Sequence, residues 1–453
     1  MSTPRALLPG GLGDLREVMR ASPERRELWD RLRRRRFRRS VRRARLMRRT
    51  LLRHVRVVVV VGSFGKTTTA RATQAALGCD PEPRIEDNEF QFVSDALLRT
   101  PPWRRHAVIE VGIGGPGQMR RYARFLRPDV VVVTSIGSEH HRSLGSLERT
   151  REEKAVMLSA LRPGGIGVFN GDDPHVRWML DRCPVRRLTY GFDPANDVVA
   201  SDLALDWPRG MRLRVRAGGD ERPVALRLLG EPMARCAIGA IAVALAEGRP
   251  LDAAIAAVER LAPTRLRLEP VLLPGGAFLL RDEFKSTLET IHAALDLFET
   301  IPARRKLIVI GDVSEPPGGS QGDVYRALGA RMARIAERVV VVGDGRRRYV
   351  AGARAAGLDG QRFVYVHQDL AAAAIDAGRD LGPGDVVLLK GRDVQRLDRV
   401  ALRLLGHPVA CELTTCRYLR TRCDTCAMAA TGWRGRRAVL AAGGSSPWAA
   451  SKV

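Results

Sequence analysis

A lysine and two threonines stand at the end of a short glycine turn, Gly62-Ser63-Phe64-Gly65-Lys66-Thr67-Thr68, directly after the valine run Val57–Val61. A β-branched run followed by a glycine turn and a helix-prone stretch is the order of a phosphate loop. The glycines let backbone N–H groups converge on phosphate, and the helix N-terminus adds partial positive charge. In that reading Lys66 reaches the β- and γ-phosphates and Thr67 sets a hydroxyl on Mg²⁺, with Gly62, Ser63, Gly65 and Thr68 completing the cradle. Only two residues separate the glycines, where the general pattern has four.

Further side chains follow the loop. Glu110 closes a second apolar stretch and enters Val-Gly-Ile-Gly-Gly-Pro-Gly, where a carboxylate suits Mg²⁺. His140 follows the run Val130–Ile136 through Gly137-Ser138-Glu139 and is a second candidate ligand. Lys154 lies on the helix-prone stretch after Ser146. Only six lysines occur, so a lysine inside a motif marks a place where arginine will not serve. Near the C-terminus stand Cys411, Cys416, Cys423 and Cys426. Their spacing admits a tetrahedral thiolate zinc site, free thiols or a Cys423/Cys426 redox pair.

These residues need elements to hold them. From Val57, apolar strands at 57–61, 107–111, 130–136 and 166–170 alternate with helical stretches, which reads as a doubly wound parallel sheet with ligands at the strands' carboxyl ends. Short strands are expected between 188 and 229, including 212–215 and 225–229, then helices over 234–247 and 251–261. Near Ala262-Pro263-Thr264 the rhythm restarts, with strands at 278–282, 306–311, 339–342, 363–366 and 386–389. The expected plan is an arm over 1–56, an α/β domain over 57–262, a smaller α/β domain over 263–405 and a cysteine-bearing tail over 406–453.

Composition sets the outer bounds. A 453-residue chain exceeds one ordinary core, and no apolar run reaches a membrane span. The N-terminus lacks a secretory apolar region, so the expected address is the cytoplasm, where a structural disulfide is disfavoured. The formal net charge is +26, and Arg31–Arg56 contains no acid at all. Such a block either meets a polyanion (nucleic acid, an anionic membrane at its inner face, a phosphorylated carrier) or is a solvated helix without a dedicated partner.

The segments GSFGKTTTA, IEVGIGGPGQM, TSIGSEHHRSLGSLERTREEKAVML and GVFNGDDPHV, in that order, resemble the Mur ligase superfamily, most nearly its MurF-type branch, over about Val57 to Arg392. The resemblance implies an ATP- and Mg²⁺-dependent ligase that phosphorylates a carboxylate and joins the acyl phosphate to an amine. It implies that Thr67 and Glu110 hold one Mg²⁺, that His140 helps hold a second, and that Lys154 is carbamylated into a metal-bridging anion. In the second domain Arg267 would meet the nucleotide and Asp282 its ribose, while Lys390 and Asn88 would face substrates.

The departures from that pattern concern adenine and substrates. The family's asparagine beside adenine is Cys236 here, and its N-A-N-P reads Lys285-Ser286-Thr287-Leu288. Only the arginine arm precedes the loop, so the acyl substrate is expected to be held other than through the usual UDP-sugar domain. Three readings stand: a ligase joining an amino acid or peptide to another carboxylate acceptor, the peptidoglycan D-Ala-D-Ala ligase itself, and an ATP-switched protein that binds a polyanion or membrane. Oligomeric state is left open.

Overall fold

The computed structural model describes residues 23–80, 88–89, 91–139, 141–314, 321–343, 345–359, 362–365, 369–413, 416 and 421–435. His140 lies outside them. Residues 33–264 form one compact unit, and residues 265–453 belong to another.

The first unit is built on an eight-stranded sheet in the order β2-β1-β3-β4-β5-β6-β7-β8. Its strands are β1 (Arg56–Val61), β2 (His106–Glu110), β3 (Val130–Val133), β4 (Ile166–Asn170), β5 (Arg186–Gly191), β6 (Val198–Asp206), β7 (Gly210–Ala217) and β8 (Asp220–Leu226). From β2 to β6 neighbours run parallel; β6, β7 and β8 form an antiparallel extension. The valine run is central because both of its faces are apolar. Val58 and Val60 join one buried cluster and Val57, Val59 and Val61 the other, as the period of two requires.

The first cluster packs under α2 (Lys66–Leu77), which the sequence places after the loop, with the Ala-rich helices at Glu231–Ala246 and Leu251–Glu259. The second includes the helices Gln91–Arg99 and Gln118–Leu126 and part of α1 (Pro23–Arg49). Registers Val60↔Glu110 and Val61↔Val133 align the carboxyl ends of β2, β1 and β3. The expected third strand, 130–136, is shorter: pairing stops at Val133 because Thr134 and Ser135 turn to bond the glycine loop.

The arm is bonded to this unit rather than wholly solvated. Ser40, Ala44 and Arg48, spaced by four on α1, are buried. Arg48 donates five hydrogen bonds, to the carbonyls of Leu52, Val55, Leu126 and Arg127 and to Asp129 Oδ2 at 2.7 Å, so every guanidinium N–H is used.

The second unit has a six-stranded sheet in the order β13-β12-β11-β14-β10-β9, formed by β9 (Glu269–Leu272), β10 (Phe278–Asp282), β11 (Arg305–Ile310), β12 (Arg338–Val341), β13 (Phe363–Tyr365) and β14 (Asp385–Lys390). Only β9 is antiparallel to its neighbour. Its core includes Leu279, Val309, Val340 and Val387. After Gly406, Val409, Cys423 and Ala429 pack on Leu402.

Candidate active site

The glycine loop turns because two of its residues take backbone angles that only glycine adopts freely. Gly62 has φ 148° and Gly65 φ 78°. A Cβ on Gly62 would fall 1.9 Å from Thr134 Oγ1, and one on Gly65 2.9 Å from Cys236 Sγ. The loop is tied from behind: Ser63 N–H donates to Ser135 O (2.7 Å), Phe64 N–H to Ser135 Oγ (3.0 Å), and Thr134 Oγ1–H to Phe64 O (2.6 Å). Gly65 caps α2 without a side-chain acceptor, and no acid stands in the first turn. First-turn N–H groups have no acceptor within a helix, so this terminus presents donors and partial positive charge that suit an anion.

Lys66 is nearly buried, and its ammonium donates to Ser63 O (2.9 Å) and Glu139 Oε2 (3.0 Å). Lys154, on the helix Leu147–Ala155, is also buried and donates to Ser63 Oγ at 2.8 Å. Ser63 Oγ in turn accepts from Gly137 N–H (2.8 Å) and donates to Gly137 O at 3.1 Å. One serine thus links the loop, the β3 connection and the Lys154 helix.

Glu110 is 3 % exposed at the end of β2. Its Oε1 accepts from Asn88 Nδ2 at 2.5 Å, while Oε2 has no hydrogen-bond partner among the described residues. A buried carboxylate oxygen without a donor is costly unless a cation or water meets it. The oxygen donor set of Glu110 and the buried Thr67 therefore fits Mg²⁺.

Other residues singled out by the sequence have partners of their own. Thr68 Oγ1 bonds Thr264 Oγ1 at 3.0 Å, both hydroxyls buried. Cys236 touches loop backbone, with Sγ 3.1 Å from Pro232 O and 3.5 Å from Gly65 O. Asn88 meets Glu110 and, through its carbonyl, Gly112 N–H at 2.8 Å. The network partners Thr134, Ser135 and Glu139 escape the sequence reading. The hydroxyl pair in VVVVTSIG and the acid beside His140 were its only signal.

In the second unit Asp282 and Lys390 are register partners on β10 and β14 and join at 2.6 Å; Lys390 also donates to Lys285 O at 2.6 Å. Burial raises the Asp282 carboxyl above its usual range despite the lysine, and burial lowers the Lys390 ammonium despite the carboxylate. Lys390 is 1 % exposed, its amine held between the Asp282 carboxylate and the Lys285 carbonyl. Arg267 lies over the Phe284 ring at 4.5 Å, and Arg422 lies against the same ring at 4.3 Å.

Cys411, Cys416, Cys423 and Cys426 line one small cavity with Arg396 and Arg399. Arg399 Nη1 donates to Cys411 O (2.8 Å) and approaches Cys411 Sγ (3.5 Å). Burial pushes the Cys423 and Cys426 thiols up. Among the described residues no three His, Cys, Asp or Glu side chains are grouped so as to hold a metal ion.

Comparison with known proteins matches residues 60–244 to the Mur ligase middle domain and residues 266–392 to the Mur ligase glutamate ligase domain. The chain is similar to the UDP-N-acetylmuramoyl-tripeptide–D-alanyl-D-alanine ligase of Bacillus subtilis, at 28% identity over 57% of this chain and 56% of that protein. It is also similar to the UDP-N-acetylmuramyl-tripeptide synthetase of a Roseiflexus species, at 28% identity over 75% of this chain and 74% of that one. In fold it is similar to the crystal structure of MurF from Acinetobacter baumannii, with a TM-score of 0.71 and 20% identity over 81% of this chain and 80% of that chain. With both domains matched in sequence order, from the strand before the glycine loop to the residues just past β14, the chain belongs to the Mur ligase family.

Proposed function

We propose that this protein is an ATP- and Mg²⁺-dependent carboxylate–amine ligase that joins an amino acid or peptide to a carboxylate acceptor. The observation that carries the reading is Ser63: its carbonyl holds Lys66 and its hydroxyl holds Lys154, so loop and lysines form one buried unit. The acceptor carboxylate attacks the γ-phosphorus of ATP and ADP leaves. The amine then attacks the acyl carbon, phosphate departs, and the nitrogen gives up one proton to solvent as the amide forms. Lys66 and the α2 N-terminus bind and orient the phosphates, worth most in a water-poor site. Addition of CO₂ to the unprotonated form of the Lys154 amine releases a proton and gives a carbamate anion, where arginine would give none. Magnesium, when bound, neutralises phosphate oxygens; Glu110, Thr67 and His140 are its proposed protein ligands, with the Lys154 carbamate.

Asp282 supports the second unit through Lys390, while Arg267 on Phe284 is the candidate nucleotide contact there. The proposed domain plan is 1–56, 57–262, 263–405 and 406–453. In the last of these the four cysteines, which line one cavity, are the candidate zinc ligands. The exposed arginines of α1 face an anionic partner, and the protein works in the cytoplasm, at the inner face of the membrane. A narrower reading, UDP-N-acetylmuramoyl-tripeptide plus D-alanyl-D-alanine, is favoured by the activity for which the Bacillus subtilis relative is named.

The test is phosphate release from Mg-ATP by the full chain. Amine- and carboxylate-dependent release supports the ligase, and release that needs UDP-N-acetylmuramoyl-tripeptide and D-alanyl-D-alanine together selects the narrower reading. ATP binding without turnover across a panel of amines and carboxylates would sink both.

A further inference from the structure

The edge of the first sheet opposite its glycine loop carries a surface that the ligase chemistry does not use. On α1, Leu46 is 64% exposed. At 3.6 residues per turn it shares its face with Arg35, Arg39, Arg42 and Arg49, all exposed. The helix runs into the loop before β1, where Leu51 is 58% exposed beside exposed Arg53 and His54. The loop before β2 lies next to it, joined by Arg56 N–H to Arg105 O at 2.9 Å, and presents Trp103 at 84% exposure.

Acids near this edge leave the positive field intact. Asp129 is buried and the Glu247 side chain is 3% exposed, both paired with arginines, and the exposed Asp80 is paired with Arg104. We infer that this edge docks on an anionic lipid bilayer, with Leu46, Leu51 and Trp103 entering the interface and the arginines meeting headgroups. Cations alone would suit any polyanion. Two exposed aliphatic side chains have no partner on a nucleic acid, whereas aliphatic and tryptophan side chains among arginines match the headgroup–acyl boundary. Because β1 is about 20 Å long, the opposite end of the sheet stays clear of the bilayer when this edge is docked.

The test is co-sedimentation of the full chain with phosphatidylcholine vesicles and with phosphatidylcholine–phosphatidylglycerol vesicles, without nucleotide or substrate, so its outcome is independent of the ligase reading. The expected result is binding to the anionic vesicles alone, weakened by salt and roughly fivefold by each of Arg42→Gln and Arg49→Gln. Trp103→Ser with Leu46→Ser and Leu51→Ser should lower binding at least as much while leaving the circular dichroism spectrum unchanged, and Trp103→Phe should remove a vesicle-induced blue shift in emission. No binding to anionic vesicles, full binding by the triple serine variant, or displacement from vesicles by a single-stranded oligonucleotide that binds more tightly overturns the inference.

Discussion

Lys154 Nζ lies 2.8 Å from Ser63 Oγ, although 91 residues separate the two in the chain. The helix Leu147–Ala155 is thereby fixed to the glycine loop through one buried hydroxyl, and a lysine that would be solvated on an isolated helix is 3 % exposed.

If Lys154 acts as a carbamate, Lys154→Ala is inactive and regains part of its turnover when a small carboxylic acid such as acetate is added. Lys154→Arg is inactive and is not rescued, because guanidinium takes up no CO₂. Amine-dependent phosphate release measures both, and wild-type rates in Lys154→Ala would remove the carbamate from the mechanism.

Lys66→Ala should lower turnover by about 10²–10³, the scale of one lost preorganised charge contact. The same variant frees Glu139 from its 3.0 Å partner. Comparing ATP binding with turnover separates a phosphate-orienting role, which loses rate, from a merely structural one, which loses folding first.

Asp282 and Lys390 form a buried pair in which breaking one side costs more than replacing both. Asp282→Ala should destabilise the second unit by about 3–5 kcal/mol, whereas Asp282→Leu combined with Lys390→Met should recover much of that loss. Urea unfolding of the wild type, Asp282→Ala and the double variant gives the answer; equal loss in the single and double variants would contradict it.

Glu247 stabilises the first unit in a pH-dependent way. Burial opposes its charge, but bonds from Arg56 and His106 prevail and bring its carboxyl from 4.5 down to about 2. The folded carboxyl binds its proton less readily than the unfolded one, so its contribution is complete above about 4.5 and is lost as pH falls through about 2. Glu247→Gln should cost about 2 kcal/mol at neutral pH and flatten that acid limb. An unchanged acid limb in thermal unfolding would assign the loss to other carboxylates.

The four tail cysteines make a stoichiometric prediction. Protein purified from zinc-replete cells should carry one zinc, lost in Cys423→Ser, with Cys411, Cys416 and Cys426 then open to a thiol reagent. Metal analysis showing none, with all four thiols reactive in the wild type, would leave the cavity as a cluster of free thiols.

Much of this protein was written locally. The valine run announces a strand buried on both faces because the alternation Val58, Val60 against Val57, Val59, Val61 supplies two cores from one segment. Gly62 and Gly65 announce the turn because their backbone angles exclude ordinary side chains. The restart near Pro263 announces a second sheet by the same periodicity. What the sequence could not decide was which distant side chains would meet. Asn88 takes Glu110, Thr68 takes Thr264, Arg48 takes four carbonyls and Asp129, and Asp282 closes on Lys390. Strand register and helix docking bring these pairs together, and a buried polar atom must find whatever partner lies within about 3 Å, however remote it is along the chain. Periodicity is local and therefore readable; partnership in the interior belongs to the tertiary structure.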